Sequence, residues 1–337
     1  MNQTLFLLLF FLTVLSGCSS NTPTAEDNTD STLAPSPQQA HLYAILVAKK
    51  GEVVMEEYYN GQTPDSLSDV QSLTKGLMSI LIGIAIDKGH IESVDEPIIK
   101  YLPKRLDTLS AEKQAITIRH LLNQTSGLLW KGYLEHEAWM NSEDPIGYVL
   151  NKPLISPPGT EYNYNSGATH LLSVILREAT ASSTLQFANK HLFDDLQTNQ
   201  LAWTMRKQGY YDGSGLGLKM KPQDLLKIGE LLAARGQWNG KQLISEEWIN
   251  AMFDEGNKRP TDWGLPNSTH GYCWYKANFQ DLSIDYGMGY GGQFIILIPE
   301  KELVIVATHN HDTPDGIDHQ IAFLHHQLPQ LIASYAP

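Results

Sequence analysis

A serine followed three residues later by a lysine, Ser72-Leu73-Thr74-Lys75, opens a long apolar run. Helical neighbours lie three and four residues apart, so on a helix the hydroxyl and the amine share one face. A hydroxyl is a poor nucleophile until a base removes its proton, and a partly desolvated lysine with a lowered pKa can be that base. Such a tetrad arises often by chance. Two downstream landmarks, Tyr164-Asn165-Ser166 and Gly287-Met288-Gly289-Tyr290-Gly291-Gly292-Gln293, make it specific. The set predicts a serine hydrolase with a lysine and a tyrosine in place of histidine.

These residues need a frame. From Ser72 to Lys88 apolar residues occupy all sides, which predicts a helix buried at the centre of a domain, stopped by Asp87-Lys88-Gly89. Ser72 then sits at the helix N-terminus, where backbone N–H groups and the dipole favour a developing oxyanion. Leu42–Ala48 and Glu52–Tyr59 read as strands joined at Lys49-Lys50-Gly51, an antiparallel hairpin. Residues 91–235 read as mainly helical with long connections; Thr117–Leu122 opens one helix and Ala168–Ala179 forms another, with a helix and turn over Lys221–Gly240. Strands return at Gly271–Ala277, Gln293–Ile298 and Leu303–Thr308, and Ile317–Tyr335 reads as an amphipathic helix interrupted at Pro329. Strands at both ends predict one antiparallel sheet assembled from both termini, flanked by helices, with a helical subdomain inserted: an α+β fold.

The chain has 337 residues, 42% hydrophobic and 18% charged, an ordinary globular composition. Its formal net charge of −13 argues against a nucleic-acid partner, which demands clustered Lys and Arg. Residues 1–17 lack charged side chains and carry Leu5–Leu12, an apolar core suited to a secretory signal. The segment ends in Leu15-Ser16-Gly17-Cys18, which resembles the lipobox of bacterial lipoproteins, though no Lys or Arg precedes it. That resemblance implies a lipid on Cys18, residues 18–40 as a flexible tether, and the domain proper at 41–337. It also implies a periplasmic, membrane-anchored protein, the following Ser19-Ser20 favouring the outer membrane. Cys273, between Tyr272 and Trp274, is then without a disulfide partner and reads as a buried small hydrophobe.

In order and spacing, the three landmarks resemble the serine β-lactamase and penicillin-binding-protein fold. More narrowly they are similar to class C β-lactamases and their esterase and 6-aminohexanoate-dimer-hydrolase-like relatives. Supporting phrases are Ile116–Leu122 with Thr125-Ser126-Gly127-Leu128, Pro157-Pro158-Gly159-Thr160, Gly213-Ser214-Gly215-Leu216 and Pro222-Gln223-Asp224-Leu225. The resemblance implies Ser72 as the acylated nucleophile, Lys75 as its basic partner and Tyr164 as the proton shuttle. A phenol with an ordinary pKa of ≈ 10 must lie beside a cation to exchange protons near neutrality, and Lys75 supplies it. The implied oxyanion hole is the backbone N–H of Ser72 and of Tyr290. Gly289 and Gly291 would let a substrate carbonyl approach, with Ser166 and Trp130 binding substrate. Two departures stand out. The tyrosine motif ends in Ser166 where asparagine is usual, and Gly287-Met288-Gly289 replaces the Lys-Thr-Gly typical of β-lactamases.

The expected partner is a small ester, amide or peptide-like molecule, with oligomeric state left open. A β-lactamase or D-alanyl-D-alanine carboxypeptidase is the enzymatic alternative, and a non-catalytic binding protein the alternative of another class. Trp130, Tyr133, Trp139 and Trp274 divide between core and pocket on the general behaviour of large aromatics. His309-Asn310-His311-Asp312 follows a strand end and reads as a solvated loop rather than a metal cluster. The motifs imply no cofactor and no metal.

Overall fold

In the computed structural model, which describes residues 40–254, 256–258 and 264–335, strands from both ends of the chain share one sheet. They are β1 (Leu42–Lys49), β2 (Glu52–Tyr58), β3 (Asn257–Lys258), β4 (Thr269–Gly271), β5 (Trp274–Phe279), β6 (Leu282–Gly289), β7 (Gln293–Ile298) and β8 (Leu303–His309). Their spatial order is β2-β1-β8-β7-β6-β5-β4-β3, every neighbouring pair antiparallel. The central strands are buried on both faces and alternate between two cores, as the period of two requires. Phe294, Ile296 and Ile298 face one cluster with Ile305 and Ala307; Ile295 and Leu297 face the other with Val304 and Val306.

The larger core holds α1 (Leu73–Asp87), α2 (Ser166–Thr180) and α3 (Pro222–Ala233); the smaller holds Phe323 and Leu324, which follow α4 (Gly316–Ala322), and α5 (Leu328–Tyr335). Thirteen residues of α1, Leu73 through Ala85, are buried, which explains why apolar side chains surround it. It ends at Gly89, whose φ of 72° suits a residue without Cβ. The first hairpin forms as expected around Lys50 (φ 54°) and Gly51 (φ 76°). Among the described residues no helix is long and apolar enough to cross a membrane. Residues 1–39, with the expected signal, Cys18 and nearly all of the tether, lie outside the described residues.

Three expectations need correction. Gly271–Ala277 is not one strand: the chain reverses at Tyr272 (φ 41°) and Cys273 (φ 67°) between β4 and β5. Neither residue is a turn former by type. Long-range bonds hold the turn instead, from Tyr272 N to Asn123 Oδ1 (3.0 Å) and from Cys273 N to Leu122 O (3.0 Å). Strand β6 has no counterpart in the sequence reading, because its mixed Leu282-Ser283-Ile284-Asp285 start hides a strand closed on both sides by neighbours. Pro329 does not break the closing helix. A π-helical stretch over Phe323–Gln327 precedes it, and Pro329 falls in the first turn of α5, where its missing N–H costs little.

Candidate active site

Ser72 is the N-cap of α1 but does not cap it with its side chain. Its Oγ instead accepts from Lys75 Nζ (2.9 Å) and from Tyr164 Oη (2.8 Å). Tyr164 arrives from the segment just before α2. There Asn165 caps the helix by accepting from Ala168 N (2.8 Å), its own N–H donates to Gln124 Oε1 (2.6 Å), and its Nδ2 donates to Leu128 O (3.2 Å). The loop containing Thr125-Ser126-Gly127-Leu128 thus fixes the phenol's approach to Ser72.

Lys75 is buried and forms no ion pair among the described residues. Its ammonium group donates to Ser72 Oγ and to the Ser214 carbonyl and lies 4.8 Å from the centroid of the Tyr164 ring. Burial pulls its pKa from 10.5 down to about 8, against a smaller opposing pull from Cys273 and Asp212. Burial likewise pushes the Cys273 thiol up to about 12, which makes it inert, in line with its reading as a small hydrophobe.

The loop that supplies the Ser214 carbonyl is built on Asp212, a fully buried carboxylate that motif reading passed over. Its Oδ1 accepts from the backbone N–H of Ser214 (2.8 Å), Gly215 (3.0 Å) and Leu216 (3.1 Å), and Oδ2 pairs with Arg206 Nε at 2.5 Å. Burial pushes the carboxyl up; the Arg206 charge, His170 and these bonds override it and hold it below the usual range. Gly215 has φ of 99°, and a Cβ there would lie 2.9 Å from Lys75 Nζ and from Ser72 Cα, so only glycine lets the loop touch the pair.

Ser72 opens onto a pocket of about 420 Å³ whose walls include Trp130, Tyr133, His136, Tyr164, Ser166, Leu216, Met288, Gly289, Tyr290 and Ile317. Its lining contains no Lys or Arg. A cleft of about 460 Å³ elsewhere, lined by Glu230, Arg235 and Asp285 among others, contains no serine, threonine or cysteine. A Cβ on Gly289 would come 2.4 Å from Val70 O, so β6 passes close against the residues leading to Ser72. The N–H groups of Ser72 and Tyr290 have no backbone acceptor among the described residues. Gly291 is not in the pocket lining; a Cβ there would strike His311, so its missing side chain serves loop packing. Gly287 also faces away: a Cβ would fall 2.7 Å from Leu73 Cδ2 and 2.9 Å from the Trp274 ring. Of the large aromatics, Tyr133 lies on the pocket, Trp139 and Trp274 lie in the core, and Trp130 belongs to both. His309 is buried in β8 with Nδ1 2.6 Å from Gly292 O, so that part of the expected solvated loop is interior.

His136 was not foreseen. It comes from a short helix whose local sequence gives no signal, and only the fold carries it to Trp130, with ring centroids 5.9 Å apart. Burial, then the charge of Lys75, brings its pKa down to about 4.

Residues 30–328 match the family model described as Beta-lactamase, and the chain belongs to that family. It is 23% identical over 292 residues to the 6-aminohexanoate-dimer hydrolase of Paenarthrobacter ureafaciens, covering 81% of this chain and 73% of that one. Two solved structures share the fold. One, from Bacillus anthracis and provisionally named a 6-aminohexanoate-dimer hydrolase, has a TM-score of 0.73 at 18% identity (88% and 81% covered). The other, the D-alanine carboxypeptidase AmpC of Burkholderia cenocepacia, has a TM-score of 0.63 at 17% identity (86% and 93%). The chain is thus a serine hydrolase related to the β-lactamases, with their α+β fold.

Proposed function

We propose that the protein hydrolyses esters or amides with apolar acyl groups through an acyl-enzyme on Ser72. The observation that carries this reading is the Ser72 hydroxyl held at once by Lys75 Nζ (2.9 Å) and Tyr164 Oη (2.8 Å) at a pocket floor. Neutral Lys75 takes the hydroxyl proton as Oγ bonds to the substrate carbonyl carbon. The Ser72 and Tyr290 N–H groups receive the oxyanion. Tyr164 gives a proton to the departing oxygen or nitrogen, the bond to the leaving group breaks, and the acyl group stays on Oγ. Water then attacks, loses its proton to the same pair, and Ser72 is restored.

Pocket chemistry supports an uncharged substrate. A carboxylate on the ligand would meet no cation in the lining, and Glu137 and Asp312 stand near the mouth. Tyr133 and Leu134, 86% and 83% exposed, make that rim apolar. A hydrogen bond to a charged group contributes about 1.5–3 kcal/mol, so its absence disfavours an anionic β-lactam by roughly 10- to 150-fold. We place the enzyme outside the cytoplasm, lipid-anchored through Cys18 and more readily on the outer membrane, on the strength of Leu15-Ser16-Gly17-Cys18; Cys18→Ser should release it from membranes.

The test is labelling with a fluorophosphonate followed by peptide mass mapping, alongside kcat/KM for a short-chain aryl ester and a chromogenic cephalosporin. An adduct on Ser72 and a preference for the ester are expected. An adduct elsewhere overturns the nucleophile, and efficient cephalosporin turnover with poor ester turnover favours the β-lactamase reading.

A further inference from the structure

Side chains from opposite ends of the chain meet at the start of α4. His41 immediately precedes β1, Asp315 immediately precedes α4, and His319 lies one helical turn further on. One ligand-type atom from each lies within 4.8 Å of the other two. The imidazoles face each other with centroids 3.9 Å apart and planes tilted by 35°. His319 Nε2 is 3.1 Å from Asp315 Oδ2, yet this buried nitrogen has no partner in hydrogen-bonding geometry. Asn310 N donates to His41 O (2.7 Å), which fixes the His41 backbone beside the end of β8.

We propose that His41, Asp315 and His319 bind a divalent first-row cation of the zinc kind. Two imidazoles and one carboxylate are a donor set for zinc, nickel or copper; magnesium and calcium prefer oxygen ligands throughout. Zinc holds nitrogen and oxygen at about 2.0–2.2 Å, which in a tetrahedron puts ligand atoms roughly 3.4 Å apart. The His319–Asp315 pair already meets that spacing, and the widest pair must close by at most about 1.4 Å. Asp315 and His319 are partly exposed, so small side-chain rotations can supply the closure. A cation bound at the ring nitrogens, in the plane of each imidazole, would bond to His319 Nε2 directly.

Such an ion would tie the entry of β1 to α4, and α4 carries Ile317 and Gln320 into the pocket wall. A Cβ on Gly316 would lie 3.1 Å from the Tyr290 ring, so α4 packs directly behind that residue. Local spacing cannot reveal the trio, because one ligand is more than 270 residues from the others.

The test uses the full chain without a polyhistidine tag, stripped with chelator and titrated with zinc alone by calorimetry at pH 7.5. One zinc per chain is expected, unaffected by millimolar magnesium or calcium, with a melting temperature that rises with zinc concentration. His41→Gln and His319→Gln should each weaken binding by about 100-fold, given that even an outer-shell partner costs about 10–100-fold. Retained aryl-ester turnover shows that each variant is folded. Failure of the native protein to bind zinc at ~1 mM, where binding free energy is only about 4 kcal/mol, overturns the proposal. Unchanged affinity in both variants overturns it as well.

Discussion

Lys75 and Asp212 are both buried, both touch the loop from Asp212 to Leu216, and are solvated in opposite ways. Asp212 has a counter-ion and a cluster of N–H and O–H donors, so its charge is fully matched. Lys75 has a hydroxyl, a carbonyl and a ring, and no counter-ion among the described residues. One charge is stabilised and serves as scaffold. The other is left poorly solvated, and that deficit is what makes it basic near neutrality. A carboxylate beside Lys75 would raise its pKa and take away the base that the proposed mechanism needs; the protein places that carboxylate one loop away and saturates it.

The largest effect should follow from breaking the matched charge. Asp212→Ala leaves Arg206 buried without its partner and three N–H groups without an acceptor. A loss of about 3–5 kcal/mol in unfolding free energy is expected by urea titration, with a fall in kcat as Ser214 O leaves Lys75. A loss below ~1 kcal/mol would mean that the loop does not depend on Asp212.

Next comes the unmatched charge. Lys75→Arg keeps a cation that does not deprotonate, and acylation of Ser72 should fall by at least ~100-fold. In the native enzyme the acylation rate should rise as pH passes through about 8, because the neutral amine is the form that accepts the proton. Stopped-flow acylation between pH 6 and 10 checks both. A pH-independent rate, or near-native acylation by the arginine variant, would assign the base to another group.

The two charges also differ in how far the sequence announced them. Ser72, Lys75 and Tyr164 were legible because each belongs to a short motif, and Ser72-x-x-Lys75 shares a helical face by geometry alone. The sheet was legible where a continuous run of branched apolar residues marks a strand buried on both faces, as in β7 and β8, and illegible at β6 and the Tyr272-Cys273 turn, where partners far along the chain decide the conformation. Gly213-Ser214-Gly215-Leu216 was visible as a phrase, while Asp212 just before it was not. A lone aspartate carries no sign of being buried until Arg206 is seen to fold back on it. Gly287 shows the opposite error: the motif comparison treats it as a place where a lysine could stand, but the space for a side chain is filled by Leu73 and Trp274, so a lysine cannot simply be restored there.

A smaller and opposite effect on stability separates the two charges further. Lys75→Met removes an ammonium that the folded protein solvates poorly. Burial lowers the pKa from 10.5 to about 8, so the folded state binds this proton less readily than the unfolded chain does. Stability is therefore lost as pH falls from about 10.5 to about 8, and the penalty is constant below that. The methionine variant, though inactive, should be more stable than the native protein by about 1–2 kcal/mol at pH 7, after losing the bond to Ser214 O. The gain should vanish by about pH 10. Equal destabilisation at both pH values would show that Lys75 is better solvated than its contacts indicate.

The smallest effect belongs to His136, the histidine of the pocket wall. A histidine lining the same pocket as Ser72 invites assignment as the base, yet burial and the Lys75 charge hold its pKa at about 4. Above pH 5 it is neutral and has no proton left to lose across the range where Lys75 titrates. His136→Phe fills the same wall and keeps ring contact with Trp130, so the midpoint of the acylation–pH profile should move by less than ~0.3, equivalent to about 0.4 kcal/mol. KM for an apolar aryl ester should change by no more than a few-fold. A midpoint that shifts by a full pH unit, or a profile that loses its rising limb, would place His136 in the proton path. The contrast would then lie between two bases sharing one pocket, and no longer between one unmatched amine and one matched carboxylate.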